Sequence, residues 1–245
     1  QLFFISPEEQ QALDKVALRM AVGEEVSEKD RKIITTVMSA PDIAMFGRMV
    51  ASTPAYSIDA AVQVSHAITT HKAVVDEDAY TAVDDLNSGE EDRGAAFMGV
   101  FEFGAGVFYY YVCINRDLLV KNLQGNEELA DRAISTLLET AAIVGPKGKQ
   151  NSFAHQSRAG YVLIERGKQQ PRNLAYAFVK PVSGNADADY MAMSIEKLKD
   201  FRNKTDTVYG PCADSSFEID LLEGAGSMDG LKQWLQQSSD QAEVA

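Results

Sequence analysis

The spacing of apolar residues predicts a helix near the start of the chain. Four of them recur at intervals of one, three or four: Leu13, Val16, Ala17 and Met20. Such spacing is typical of the buried face of an α-helix. The preceding segment, Ser6-Pro7-Glu8-Glu9, has the order of a helix start, because Ser6 can cap, Pro7 fits the first turn and Glu9 completes a capping box. Gly23 can end this helix.

The same criteria predict further helices along the chain. Their ranges are Ser27 to Ser39, Asn126 to Val144, Met191 to Phe201 and Met228 to Leu235. Residues 42–49 fit either a short helix or a packed loop.

Alternating and continuous apolar runs predict the strands. Val62 to His71 alternates, with Val62, Val64, His66, Ile68 and Thr70 expected on one face. The run from Gly106 to Asn115 is aromatic and β-branched on both faces, which favours a central strand. Tyr161 to Glu165 and Asn173 to Val182 are two further predicted strands.

Residues 73–105 form a long acidic excursion between two of these strands. Eight carboxylates fall between positions 76 and 92, and Asn87-Ser88-Gly89 can form a turn. An apolar return follows through Phe97, Met98, Val100, Phe101 and Phe103. This pattern predicts an extended hairpin arm that leaves the sheet and returns to it.

The order of these elements predicts an α+β fold with helices on one face of a sheet. A ferredoxin-like or RRM-type sheet is the natural candidate. Such sheets present a flat face that nucleic acids can use.

Composition and charge narrow the possible functions. Hydrophobic residues make up 45% of the 245 residues, enough for a sizeable core. No apolar run reaches the roughly 18 residues of a membrane span. The net charge of −13 argues against generic nucleic-acid binding. Residues 146–173, however, carry six positive charges and one negative charge, which is the kind of local basic stretch that binds phosphate.

Residues that could carry chemistry do not form a recognisable active site. His66 and His71 are five apart, so on one strand they point to opposite faces and make a poor metal site. Asp84 and Asp85 are adjacent on the arm, where a solvated turn is favoured over a catalytic pair. GxSxG and P-loop motifs are absent from the sequence. We therefore expect no enzyme activity, no metal and no cofactor.

Two cysteines, Cys113 and Cys212, are expected to be free thiols of a cytoplasmic protein. Three other residues leave alternatives open. Tyr80 could pack at the base of the arm or stack on a nucleotide base. Met49 could be ordinary core or an apolar wedge between bases, and Arg48 could bind phosphate or form a surface salt bridge.

Several segments resemble CasC, the backbone subunit of the type I-E CRISPR Cascade complex. The matching stretches are Asp42-Ile43-Ala44 with Gly47-Arg48-Met49, HAITTH at 66–71, TAVDDL at 81–86 after Tyr80, Gly106-Val107-Phe108-Tyr109 with Asn115, and Leu231-Lys232-Gln233-Trp234-Leu235. The resemblance is strong over residues 42–123 and weaker but collinear elsewhere.

The resemblance implies a hand-like fold. Residues 1–60 would be part of a helical fingers lobe, residues 73–105 a thumb hairpin, and residues 61–72 and 106–245 an RRM-like palm. The family begins with a palm strand and a basic segment that do not occur in this sequence, which opens on Gln1. We therefore expect that upstream residues are missing.

The resemblance also implies partners and contacts. The partners are crRNA, the target DNA strand paired to that guide, further copies of the same chain and other Cascade subunits, with no membrane. Ten residues would contact the RNA: Arg48, Met49, His66, Thr70, Tyr80, Thr81, Val83, Lys147, Lys149 and Gln150. Met49 would be a wedge, Arg48 a phosphate contact and Tyr80 a stacking residue at a kink.

Two other classes of function are compatible with the residues alone. One is a divalent-metal nuclease that uses Asp84 and Asp85. The other is a structural module that assembles through protein contacts only.

Overall fold

A computed structural model describes residues 4–27, 30, 40–82, 97–185 and 187–240. These residues divide into two compact units. The first unit comprises residues 1–65, 112–171 and 212–245, and the second comprises residues 66–111 and 172–211.

Helices and strands alternate irregularly along the chain. The α-helices are α1 (Pro7–Ala21), α2 (Pro41–Phe46), α3 (Arg116–Asn122), α4 (Glu127–Ile143), α5 (Gln150–Phe153), α6 (Tyr190–Tyr209) and α7 (Met228–Asp240). The strands are β1 (Val62–Val64), β2 (Ile68–Thr69), β3 (Val75–Ala82), β4 (Phe97–Gly104), β5 (Phe108–Tyr109), β6 (Val112–Ile114), β7 (Tyr161–Arg166) and β8 (Ser215–Asp220). Short 3₁₀ helices cover Pro54–Tyr56 and Leu174–Phe178.

Helix α1 begins and ends as the sequence predicts. The Ser6 hydroxyl accepts from the Glu9 N–H at 3.0 Å, and the Glu9 carboxylate accepts from the Ser6 N–H at 2.7 Å. At the other end, Gly23 has a φ of 81°. The Glu24 N–H donates to the Arg19 carbonyl at 3.0 Å, which is the Schellman closure that a glycine permits.

The core of the first unit lies where α2, α3 and α4 meet β1. Its buried residues are Ala44, Ala61, Leu119, Leu123 and Ala130. Leu119 is completely buried, and burial of such a side chain stabilises a fold by about 1.5–3 kcal/mol. The Asn122 side-chain amide donates to the carbonyls of Ala44 and Asp59, both at 2.9 Å. This bond pair fixes α3 against both α2 and the segment that follows it.

Two small antiparallel sheets complete the first unit. Strand β1 pairs with β6, and β7 pairs with β8. Helix α7 covers the second pair, with the Trp234 ring 5.9 Å from the Phe217 ring. Leu231 of the same helix is 1% exposed.

The second unit contains the pairs β2–β5 and β3–β4, the second 3₁₀ helix and α6. The Ser194 hydroxyl of α6 donates to the Thr70 hydroxyl at 2.7 Å. The Leu174 N–H donates to the Tyr109 hydroxyl at 3.1 Å. The Tyr109 ring also lies 5.6 Å from the Phe178 ring. These contacts join both helical segments to the β2–β5 ladder.

The mixed α and β content is confirmed, but the single sheet with a central strand is wrong for the described residues. These form four two-stranded antiparallel sheets. The predicted continuous strands 62–71 and 106–115 are each divided into two short strands. Three residues separate β1 from β2, whereas two separate β5 from β6, so the register shifts by one residue as at a β-bulge. A one-residue shift ends the alternation that placed His66 and Thr70 on one face.

The strand predicted from Asn173 to Val182 is also wrong. The Asn173 side chain accepts from the Ala175 N–H at 2.9 Å, and this local bond competes with extended structure. A 3₁₀ helix follows, with Leu174, Ala177 and Phe178 buried. The β-favouring Tyr176 is 75% exposed, so its residue type misled the prediction.

Several other predicted helices and strands are present in the structure. Helices α4, α6 and α7 and strand β7 are confirmed, and residues 42–49 include the helix α2. The arms of the acidic excursion pair as antiparallel strands, and its turn at 87–89 lies outside the described residues. Most of the helix predicted at 27–39 lies outside them too, although Ser27 and Asp30 exchange bonds typical of a helix start. The fingers, palm and thumb boundaries stay predictions.

Candidate functional site

A loop in the first unit presents Met49 to solvent. Met49 is 78% exposed. The residue before it is fixed, because Arg48 and Ile58 exchange two backbone hydrogen bonds of 3.0 and 2.8 Å. The residue after it is fixed as well, since the Val50 N–H donates to the Ser57 hydroxyl at 3.1 Å and Val50 is 4% exposed. An apolar side chain is therefore held in water by an anchored backbone.

Gly47 permits this loop. Its φ of 78° and ψ of 173° lie in a region that only glycine adopts at low cost. A Cβ atom there would lie 2.8 Å from the Ile58 carbonyl oxygen and 3.0 Å from the Ala60 nitrogen. The close approach of the two backbone segments thus depends on the missing side chain.

Arg48 does not offer its guanidinium to solvent in this structure. Its side chain is 2% exposed and pairs with Glu9, which is completely buried. One terminal nitrogen lies 2.9 Å from each Glu9 carboxylate oxygen. The Nε atom donates to the Tyr56 carbonyl at 2.9 Å, and the same terminal nitrogen reaches the Phe4 carbonyl at 3.2 Å. The predicted phosphate contact of Arg48 stays a prediction.

A basic loop joins α4 to β7 in the same unit. The loop is closed at its base, where the Ala159 N–H donates to the Ala142 carbonyl at 2.8 Å. The His155 ring also bonds the Pro146 carbonyl at 3.0 Å. Lys147 and Lys149 are exposed on this loop, as are Arg158 and Lys168 near it, and Gln150 is half-buried. This arrangement can contact an extended anion through its lysines.

Tyr80 lies on one face of the β3–β4 pair in the second unit. It is directly opposite Gly99, and its ring covers that glycine so closely that a Cβ atom would lie 2.6 Å from it. The Tyr80 and Phe97 rings are 5.9 Å apart. Tyr80 is nevertheless 46% exposed. Thr81 is exposed on the opposite face, and Val83 lies outside the described residues.

An aromatic face around Tyr80 was missed at the sequence level. Alternation along the paired strands places Phe97, Phe101 and Phe103 on the same face as Tyr80. Phe97 and Phe103 are 57% and 44% exposed. The spacing of these phenylalanines by two and four residues was the available signal. The sequence pattern by itself indicates only an apolar strand that returns to the sheet.

His66 and Thr70 differ sharply in exposure. His66 is exposed, whereas Thr70 is 2% exposed. The Thr70 N–H donates to the Val107 carbonyl at 2.9 Å, and its hydroxyl accepts from Ser194. Thr70 would reach RNA only if these interior bonds opened, so its predicted contact stays a prediction.

His71 has an internal role in this unit. Its Nε2 atom accepts from the Val107 N–H at 3.1 Å, and its Nδ1 atom lies 2.9 Å from the Lys72 carbonyl oxygen. These partners require the tautomer in which Nδ1 carries the proton. The ring also stacks against Tyr190 with centroids 4.6 Å apart.

Metal and membrane sites find no support in the described part of the chain. Within those residues, no three His, Cys, Asp or Glu side chains are grouped as a metal site would need. Cys113 and Cys212 form no disulfide. No helix among the same residues has the length and apolar character needed to cross a bilayer.

Known proteins of similar structure place this fold in context. A search of curated proteins found no match. A chain of a solved CRISPR RNA-guided surveillance complex in a pre-nicking state is 26% identical, with a TM-score of 0.70 over 95% of this chain. This chain spans 64% of that chain's length. A chain of another CRISPR RNA-guided surveillance complex is also 26% identical, with a TM-score of 0.65, and the match covers 96% of this chain and 86% of the other.

The sequence itself gives a family assignment that agrees with these structural matches. The model of the CT1975-like protein family matches residues 1–236, which is nearly the whole chain. The chain therefore belongs to the CT1975-like protein family.

Proposed function

We propose that this chain is the guide-RNA-binding backbone subunit of a type I-E CRISPR surveillance complex. The observation that carries the proposal is the fold match over 95% of the chain to a component of an RNA-guided surveillance complex. The family assignment over residues 1–236 supports it independently.

The proposed role is geometric. Copies of the chain stack head to tail along the guide RNA, together with other Cascade subunits, in the cytoplasm. The protein grips the RNA backbone and leaves most bases free to pair with the target DNA strand. Sequence is then read by base pairing, and the protein needs no catalytic group of its own.

Met49 supports a wedge at the RNA. Because the backbone on both sides of Met49 is already anchored, binding would order only the side chain and not the loop. Insertion of apolar side chains between bases is a known way of unstacking nucleic acid. The exposure of Met49 favours this role over an ordinary core position.

Tyr80 supports a second contact, on the β3–β4 pair. Its ring is fixed against Gly99 yet remains 46% exposed. A base that stacks on such a ring gains roughly 1–3 kcal/mol. Thr81 and Val83 would contribute from the same arm, and His66 from the segment that leads to it.

The basic loop supports phosphate binding. Lys147 and Lys149 are exposed, and Gln150 follows them at the start of α5. Lysine contacts to phosphate release counterions. Each contact therefore makes the negative slope of log affinity against log salt steeper by about 0.7 for single strands. Binding through this loop should therefore weaken steeply as salt rises.

The experiment is binding of the chain to a labelled guide-length RNA across a salt series. Met49→Ala and Tyr80→Ala should each weaken binding about tenfold or more, because burial of a methionine side chain contributes about 1.5–3 kcal/mol and stacking of a base on tyrosine roughly 1–3 kcal/mol. Their salt slopes should stay unchanged. Combined replacement of Lys147 and Lys149 by Ala should instead make this negative slope shallower by about 1.4.

Three matched variants serve as controls. Met20 is 56% exposed at the end of α1, and Tyr209 is 85% exposed at the end of α6. Lys15 is exposed on α1. Replacement of each by Ala removes the same chemistry at a position outside the proposed RNA contacts and should leave affinity unchanged.

Other outcomes would favour other functions. If no salt-sensitive RNA binding occurs in the chain or in its assembled complex, the proposal is refuted. Assembly that proceeds without RNA and ignores Tyr80→Ala would favour a protein-only module. Metal-dependent RNA cleavage that disappears on replacing Asp84 and Asp85 would favour a nuclease.

A further inference from the structure

The buried ion pair between Glu9 and Arg48 joins helix α1 to the loop that carries Met49. Both carboxylate oxygens of Glu9 accept from Arg48 at 2.9 Å, and one of them also accepts from the Ser6 N–H. The two side chains are 0% and 2% exposed. Buried charges are tolerated when they are paired and their remaining bonds are satisfied, and this pair meets both conditions.

Arg48 would break this arrangement if it turned to bind phosphate. Its guanidinium would leave Glu9 as an uncompensated buried carboxylate, which is strongly unfavourable. It would also release the carbonyls of Tyr56 and Phe4. A direct phosphate contact by Arg48 is thus opposed by its bonds to Glu9, Tyr56 and Phe4.

The same bonds help to hold the backbone from which Met49 projects. The Arg48 side chain is anchored at α1 and at Tyr56, while its backbone is bonded in both directions to Ile58. Met49 is the next residue along the chain, and its own side chain is 78% exposed. Arg48 therefore helps to hold the backbone next to Met49, whose side chain has little packing of its own.

We propose that Glu9 and Arg48 are positioning residues, which hold Met49 in the orientation that contacts the guide RNA. The proposal rests on the proposed RNA-binding function. It reassigns Arg48 from a phosphate contact to a clamp, and it gives a functional role to Glu9, a residue far from Met49 in sequence.

Glu9→Gln separates the two roles of Arg48 by the sign of its effect. Glutamine can still complete a capping box, so the start of α1 is preserved. If Arg48 binds phosphate, loss of the competing carboxylate frees the guanidinium and RNA binding becomes tighter. If Arg48 is a clamp, Met49 loses its fixed orientation and binding weakens, by about tenfold for loss of its apolar contact. Tighter binding would overturn the proposal.

A double-mutant cycle with Met49→Ala tests whether the effect passes through Met49. In the Met49→Ala background, Glu9→Gln should change affinity less than about twofold, because the contact that it positions is already gone. Additive effects of the two replacements would contradict the proposal. Arg48→Met should weaken binding without changing the salt dependence of affinity. If Arg48 contacted phosphate directly, its replacement would make the slope of log affinity against log salt shallower by about 0.7.

The last measurement does not depend on RNA. The methyl resonance of Met49, assigned by its loss in Met49→Leu, reports how tightly the loop is ordered in the unbound chain. Glu9→Gln should increase its motion, while Asp131→Asn, which weakens the half-exposed pair between Arg116 and Asp131, should not. An unchanged Met49 methyl in Glu9→Gln would refute the clamp even if RNA binding is confirmed. If the wild-type chain binds no RNA, the proposed function fails while this measurement still decides the clamp.

Discussion

Replacement of Gly47 by alanine should destabilise the first unit by far more than an ordinary glycine substitution. Gly47 has a φ of 78° and a ψ of 173°, and a residue with a side chain pays about 1–3 kcal/mol in such a region. The new Cβ atom would also lie 2.8 Å from the Ile58 carbonyl oxygen and 3.0 Å from the Ala60 nitrogen. Both neighbours are backbone atoms, so no side chain can swing aside to make room.

The expected magnitude follows from these two effects. The two segments must separate, which weakens the paired hydrogen bonds between Arg48 and Ile58, each with a net contribution of about 1 kcal/mol. Together with the backbone strain, the loss in the free energy of unfolding should be about 4 kcal/mol. Gly23→Ala is the matched control, because Gly23 has a φ of 81° but no heavy atom within 4 Å of the added Cβ. It should cost about 1–2 kcal/mol from backbone strain alone.

Urea unfolding followed by tryptophan fluorescence measures this difference. The chain contains one tryptophan, Trp234, which lies in the same unit as both glycines. Equal m-values would show that the same unit unfolds in each variant. If Gly47→Ala and Gly23→Ala differ by less than about 1 kcal/mol, the close approach that anchors the Met49 loop does not exist, and the reasoning on that loop fails with it.

Three further predictions concern the second unit. Gly99→Ala should push the Tyr80 ring off the strand, because the added Cβ would lie 2.6 Å from that ring. The expected result is a loss of cross-strand aromatic contacts in NMR spectra, together with a loss of RNA affinity comparable to that of Tyr80→Ala. An unchanged NMR spectrum would contradict this prediction. His71→Phe should lower the free energy of unfolding by about 1 kcal/mol, because the Val107 N–H loses its acceptor. His71→Gln keeps an acceptor, so chemical denaturation should show a smaller decrease in the free energy of unfolding for that variant. Partial burial of Tyr110, which is 40% exposed, raises the pKa of its phenol above the ordinary value, so its contribution to stability is present at neutral pH, is reduced by solvent screening, and is lost as pH rises above that ordinary value. Tyr110→Phe should therefore show a smaller loss of Tm in alkaline buffer than wild type, and an identical loss would show that Tyr110 plays no part.

Features determined by neighbours in sequence could be predicted well. The capping box at Ser6 and Glu9 and the glycine stop at Gly23 need only a few adjacent residues, and both occur as expected. The pairing of the two arms around the acidic excursion was also visible, because alternation and turn residues occur together there. Local chemistry decides these elements, and tertiary contacts do not override it.

Features that depend on distant partners could not be predicted. The sequence allows an unbroken strand from Val62 to His71, and only the pairing register reveals the extra residue between its two halves. The sequence pattern predicts a strand that ends at Asn115, but the Asn115 side chain accepts from the Leu118 N–H at 2.9 Å and starts helix α3. In the first case a register shift, and in the second a capped helix start, replaces part of the continuous strand that the sequence pattern predicts.

Arg48 illustrates the same limit at the candidate site. Arginine is mostly found at protein surfaces, so the sequence favours a surface role for Arg48. The partner that buries it, Glu9, is 39 positions away and already has a visible local purpose in the capping box of α1. Glu9 bonds both Ser6 and Arg48, and the local sequence reveals only the bond to Ser6. The burial of Arg48 therefore follows only from the tertiary structure.

The local placement of charged residues, and not a difference in net charge between the two units, explains how so acidic a chain can serve the proposed function. Asp78 lies two residues from Tyr80 on the same face of β3, a separation of roughly 7 Å along a strand. At physiological ionic strength this is within the screening length of about 8 Å, so a phosphate placed at Tyr80 would be repelled. A neutral base would not be repelled, and the exposed aromatic ring suits it. Phosphates are better held by the basic loop with Lys147 and Lys149, which belongs to the other unit. The negative net charge therefore opposes nonspecific binding along the whole surface without opposing the two kinds of contact that the proposal requires.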